Sequence, residues 1–187
     1  MEKVEINKDI KLSPHFTLGE LTKTKYVTAD GNIPSRVVIE NLIRVCGWLE
    51  ELRVLAGVRP QSKVAGDCTL APDPGAAPEL GAAPELGTAP SSRKEEPIVI
   101  NSGYRSPEVN RLAGGATNSN HLTGCAVDIR CAGKEQMIRY ASILLDIADG
   151  SKQEYDELLL EQHGSVCWLH FAVRPKENRR IIRFLRV

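Results

Sequence analysis

The run Ser119-Asn120-His121-Leu122-Thr123-Gly124-Cys125-Ala126-Val127-Asp128 sets a histidine, a glycine turn and then an aspartate inside an apolar stretch. If residues 125–131 form a strand, Ala126, Asp128 and Arg130 share one face, and Cys125, Val127 and Ile129 share the other. A carboxylate on such a strand must be paired or must act as a ligand, because an unpaired buried charge is costly. A second run, residues 166–173, holds His170 among apolar neighbours, with Trp168 and Ala172 on its face. Two histidines and one carboxylate, with a position left to water, are a common catalytic zinc set. A metal lowers the pKa of such a water toward ~7 and makes it a nucleophile at neutral pH. The residues alone leave two readings open: a metal site, or core histidines whose polar atoms are satisfied internally.

Local signals supply the elements that would position these residues. Phe16-Thr17-Leu18-Gly19-Glu20-Leu21 reads as a short helical turn with Thr17 as cap and Glu20 three residues on, a capping box. Ile33-Pro34-Ser35 opens a helix to about Ala56. Its face carries Val38, Leu42, Val45, Trp48, Leu49, Leu52 and Leu55 at gaps of three and four. Residues 98–102 form a β-branched strand, Ser106-Pro107 starts a short helix, and Gly114-Gly115 ends it. Residues 134–149 form an amphipathic helix with Met137, Ile138, Ala141, Leu144, Leu145 and Ala148 inward. Residues 155–161, 166–173 and 180–187 are three further strands with hairpin-like spacing. Helices first and strands later predict an α+β fold with a small antiparallel sheet packed against helices.

Residues 61–97 stand apart. They hold six of the eleven prolines and only four large apolar residues, Val64, Leu70, Leu80 and Leu86. Gly75-Ala76-Ala77-Pro78-Glu79-Leu80 recurs at once as residues 81–86. Such a segment cannot bury enough surface to offset its ordering entropy, and its prolines block helix and sheet. It reads as a disordered loop inserted into a single domain spanning residues 1–187, a length that suits one sizeable core.

Composition excludes several classes. Lys plus Arg is 24 and Asp plus Glu is 24, so a bulk electrostatic case for nucleic acid or anionic membrane is missing. No apolar run approaches the ~20 residues that span a bilayer. The first residues, Met1-Glu2-Lys3-Val4-Glu5, lack an apolar signal-peptide core, so synthesis in the cytoplasm is expected, with release by another agent if the protein acts outside. Five cysteines with no C-x-x-C pair point to reduced, buried thiols.

The pattern Ser119-x-His121-x-x-Gly124-x-Ala126-x-Asp128 resembles the signature of the zinc DD-peptidase family, peptidase family M15. Its members include D-Ala-D-Ala carboxypeptidases, dipeptidases and L,D-endopeptidases that cut peptidoglycan stem peptides. Three segments extend the likeness in the same order: residues 16–21, Ser102-Gly103-Tyr104-Arg105-Ser106, and Trp168-Leu169-His170. The resemblance implies a hedgehog/DD-peptidase-like fold, with His121, Asp128 and His170 as ligands to one Zn2+ per chain. It implies Arg105 as the arginine that holds the substrate near its scissile carbonyl or carboxylate, and Ser119 as a serine that meets the substrate. The bland readings of these two are a helix-capping arginine and a turn serine.

The general base departs from the family pattern. Many members carry an acid three residues before the last histidine, where this chain has Cys167. Glu161, ending Leu158-Leu159-Leu160-Glu161, is the nominated base, because zinc-water hydrolysis needs a nearby carboxylate to take and return a proton. His163 is a rival, and so is loss of the base. The expected function is a zinc metallopeptidase acting on peptidoglycan peptides as a monomer, of the kind used as a phage or prophage lysis enzyme. The alternatives are a zinc-containing wall-binding module without activity and a structural virion protein that anchors to the wall. Arg174, Arg179, Arg180, Arg183 and Arg186 are read as a solvated strand face, and His15 and His163 as surface histidines.

Overall fold

The structure, a computed structural model, describes residues 7–57 and 95–186. The chain opens with a short helix α1 (Leu18–Leu21), started by a complete capping box. Thr17 N donates to Glu20 Oε2 at 2.9 Å, and Glu20 N donates to Thr17 Oγ1 at 3.2 Å. Helix α2 (Arg36–Gly57) follows and buries Val38, Leu42, Val45, Trp48, Leu49 and Leu52; Leu55 lies outward, and Ala56 takes the inner place. Strand β1 (Ile100–Ser102) leads into α3 (Pro107–Leu112), whose cap Ser106 accepts from Val109 N with proline in the first turn. A 3₁₀ turn (Asn120–Thr123) precedes strand β2 (Ala126–Cys131), and α4 (Lys134–Ser151) comes next. Strands β3 (Glu157–His163), β4 (Val166–Ala172) and β5 (Ile181–Arg186) complete the chain.

The five strands form one sheet in the order β1-β2-β4-β3-β5. Three pairings are antiparallel, but β5 runs parallel to β3, so the sheet is mixed rather than antiparallel. Sequence spacing predicted a hairpin between β4 and β5. Instead the chain passes β3 and docks on its far edge. Arg180 N donates to Tyr155 O and Ile181 N donates to Asp156 O, which pins the start of β5 beside the start of β3. The α+β class stands.

One face of the sheet packs on α2 and α4. Val127, Ile129, Leu158, Leu160, Leu169 and Phe171 meet Leu42, Leu49, Tyr140 and Leu144 there, all essentially solvent-free. Each such side chain contributes about 1.5–3 kcal/mol on burial, so this layer carries the fold. On α4, Tyr140 and Ile147 face inward, whereas Ile138 is 53% exposed and Leu145 only partly buried. The helix therefore sits rotated from the apolar stripe that sequence predicts, because Tyr140 inserts its ring into the core.

Most of the proposed insert lies outside the described residues. Glu96, near its end, is tied to the folded core: Glu96 N donates to Arg53 O at 3.2 Å, and the Glu96 carboxylate accepts from Gln136, Arg139 and Tyr140. Cys46, Cys125, Cys131 and Cys167 are free and buried, as composition predicted. Among the described residues no helix is long and apolar enough to cross a membrane.

Candidate metal centre

β2 and β4 pair with Asp128 directly opposite His170. Both side chains therefore project from the face that the helices leave open. His121 reaches the same point from the 3₁₀ turn. That turn is closed by Gly124 at φ +70°, where a Cβ would lie 2.8 Å from the Val38 carbonyl oxygen, so only glycine brings the turn this close to α2. Gly103 makes a second close approach, since a Cβ there would sit 2.3 Å from Leu21 O. This lets β1 lie against α1 and aims the Gly103 carbonyl at His121.

The geometry of the cluster is tight. His121 Nε2 lies 3.2 Å from Asp128 Oδ1, and His170 Nδ1 lies 2.9 Å from the same oxygen. The two rings stand edge to face, with centroids 5.0 Å apart. All three residues are at most 8% exposed. One ligand atom from each lies within 4.8 Å of the others, so the set could hold a metal ion.

The donor chemistry fits such an ion. His121 Nδ1 lies 2.7 Å from the Gly103 carbonyl oxygen, which can only accept. The proton of the neutral ring therefore belongs on Nδ1, and Nε2 turns its lone pair to a carboxylate oxygen. Two acceptors at that distance repel unless a proton or a cation stands between them. Burial opposes charge on Asp128, yet its contacts with His121 and His170 hold its carboxyl far below the usual range. Burial likewise opposes charge on His170, yet Asp128 and Glu157 push it up to about 9. The site is thus electrostatically suited to a positive charge.

Arg105 is neither a helix cap nor free. Its Nε donates to Ser102 Oγ at 2.8 Å and its Nη2 donates to Asp128 Oδ2 at 2.6 Å. One edge of the guanidinium thus orients Asp128 and leaves Oδ1 to the histidines. Ser119 caps the 3₁₀ turn, with its Oγ accepting from His121 N at 3.3 Å. Glu161 is paired with Trp168, two residues along β3 from the Leu159–His170 pair, and so faces the cluster side of the sheet. Trp168 Nε1 donates to its Oε2. Burial pushes the Glu161 carboxyl up and the nearby Asp128 charge adds to this, against the histidines and the indole donor. His163, the rival base, sits exposed at the end of β3, four residues beyond the His170 row, or roughly 13 Å along the strand. Cys167 alternates to the helix face opposite Cys131, so its position could not present an acid to the cluster in this chain.

Residues 82–153 match the family model described as Peptidase M15. Over that stretch, which is under half of the chain, the sequence is similar to the peptidase M15 family. The match takes in His121 and Asp128, and the structure adds His170 from beyond it. No curated protein matches the chain.

Three residues around the centre were not legible from sequence. Glu157 Oε2 lies 3.6 Å from His170 Nε2. Asn120, next to His121, donates to Asp156 and Glu157. Arg179 binds both of those acids. The arginine stretch therefore divides. Arg174, Arg179 and Arg180 pair with acids before β5 begins, and Arg183 and Arg186 lie exposed on the strand without an ion pair among the described residues. An Asp-Glu pair before a leucine run marks a strand start, and nothing in that pattern marks a partner for a histidine.

Proposed function

We propose that the chain is a zinc-dependent peptidase that hydrolyses amide bonds in peptidoglycan stem peptides. The reading rests above all on His121, Asp128 and His170 converging on one point in a chain whose residues 82–153 match the Peptidase M15 family model. His121 Nε2, Asp128 Oδ1 and His170 Nδ1 would hold one zinc per chain. When bound, zinc supplies a Lewis acid for the scissile carbonyl and the attacking water. Glu161 stands on the same face, off the cluster itself, where its carboxylate takes the proton from the water and returns it to the departing amine. Arg105 locks Asp128 with one edge, and its remaining N–H groups face the substrate's carbonyl or carboxylate. Ser119 flanks the His121 turn as a substrate contact. Such an enzyme, monomeric and delivered to the wall, suits phage or prophage lysis.

One observation favours a second reading, a wall-binding module without activity: the Glu161 carboxylate is engaged by the Trp168 indole. Incubating the zinc-loaded protein with purified stem peptides, with and without a chelator, separates the two. Cleavage that stops with chelator supports the peptidase, and mass spectrometry of the products names the bond. Zinc-retaining protein that binds the peptides without cutting them supports the module.

A further inference from the structure

His170 has carboxylates at both ring nitrogens. Nδ1 faces Asp128, and Nε2 faces Glu157 Oε2 at 3.6 Å, a charge contact just outside hydrogen-bond range. Among the described residues Nε2 has no other acceptor. Glu157 is itself held from two sides. Arg179 Nη2 donates to Glu157 Oε1 at 2.7 Å and to Asp156 Oδ2 at 2.6 Å, and Arg179 Nε donates to Asp156 Oδ1 at 2.8 Å. Asn120 Nδ2 bridges the same two acids, at 2.8 Å to Asp156 and 3.0 Å to Glu157. Asp156 is wholly excluded from solvent. Asn120 is joined by a peptide bond to His121, so one polar cluster fixes the backbone of one histidine and the outer nitrogen of the other.

We propose that Glu157 is the outer carboxylate of the metal centre, and that Arg179 and Asn120 are positioning residues that hold it against His170. This rests on the metal-centre reading above. A carboxylate at the outer nitrogen keeps the proton on Nε2, leaves the Nδ1 lone pair toward the ligand cluster and makes the ring a stronger donor. The segment between β4 and β5 thereby sets how tightly the metal is held, although none of its residues touches a ligand atom of the cluster.

The test is zinc affinity of the full chain by chelator competition, with the visible spectrum of the cobalt-substituted protein as a second readout. Glu157→Gln keeps the shape and removes the charge. It should weaken zinc binding roughly 10–100-fold and alter the cobalt spectrum, while the melting temperature of the metal-free protein stays within a few degrees. Arg179→Ala should weaken zinc in the same direction, and Arg179→Lys should restore part of the loss. If Glu157→Gln does not fold, Glu157→Asp, which withdraws the carboxylate by one methylene, carries the same expectation. Zinc held equally by wild type and the Glu157 variants overturns this proposal alone. A wild-type chain that binds no zinc overturns the metal-centre reading and this proposal with it.

Discussion

On β2 and β4 the residues Val127, Ile129, Leu169 and Phe171 point to the helices, and Asp128 and His170, which alternate with them, point to the open face. Both sets are excluded from solvent, for opposite reasons. The first set is dry because α2 and α4 cover it. The second is buried among Arg105, His121 and Glu157, each aimed at a charge. Each face also has an acid bound by an arginine. Behind the sheet, Glu96 accepts from Arg139 Nη2 at 2.5 Å and from the Tyr140 hydroxyl at 2.7 Å, and thereby fastens the re-entering chain to α4. On the open side, Arg179 holds Glu157 against a candidate metal ligand. On the proposed reading, similar ion pairs serve different ends: the rear pair serves stability, and the front pair serves the proposed metal centre.

The largest effect that would sharpen this contrast is at Glu161. Glu161→Gln keeps the side chain's size but cannot accept a proton, so turnover should fall by ~10²-fold or more while metal content and melting temperature stay near wild type. Steady-state kinetics alongside elemental analysis reads both. A variant that keeps full turnover would remove Glu161 from the chemistry.

The next effect belongs to the rear face. Glu96→Ala leaves the buried Tyr140 hydroxyl and Arg139 without their acceptor. It should cost about 1–3 kcal/mol and lower the melting temperature by several degrees, with zinc affinity unchanged. Glu96 also predicts a pH dependence. Burial opposes its charge, but Tyr140, Arg139 and Gln136 outweigh that and hold its carboxyl below the usual range. Asp156 is lowered in the same way by Arg179 and Asn120 against burial. A carboxyl lowered in the folded state stabilises above its unfolded pKa, and that contribution is lost as pH falls through the folded value. Melting temperature should therefore drop as pH falls below roughly 4, and less steeply in Glu96→Ala. A zinc affinity that changes with Glu96 would break the division between the faces.

Much of the centre is legible in the sequence because its residues sit in local patterns. Thr17 and Glu20 form their capping box within four residues, Ser106-Pro107 starts α3 by the same kind of short-range chemistry, and the His121-to-Asp128 spacing contains its own turn. What was missed depends on distant partners. Glu157 contacts His170 only through the β3–β4 register, and the start of β5 is tied beside β3 by Arg179 and by the Tyr155 and Asp156 carbonyls. Tyr140 turns inward on α4 because Glu96, far away in sequence, receives its hydroxyl. The C-terminal edge of the proline-rich stretch was misplaced for the same reason: composition gives Glu95, Glu96 and Pro97 to the loop, and tertiary hydrogen bonds give Glu96 to the core.

The smallest expected effect concerns that stretch. Arg139 donates to Ala56 O and to Glu96, so the chain ends on either side lie close together. Deleting residues 61–93 and joining the flanks with a few glycines should leave the melting temperature and zinc affinity nearly unchanged, since loop length costs little. A large loss of stability would make the segment part of the folded core.

The central claim is that His121, Asp128 and His170 form one metal centre on the open face. Elemental analysis of the purified chain and of His170→Ala tests it most directly. About one zinc per chain in the wild type, with most of it lost in the folded variant, is the predicted result. Metal content that is absent from the wild type, or unchanged by His170→Ala, would contradict it.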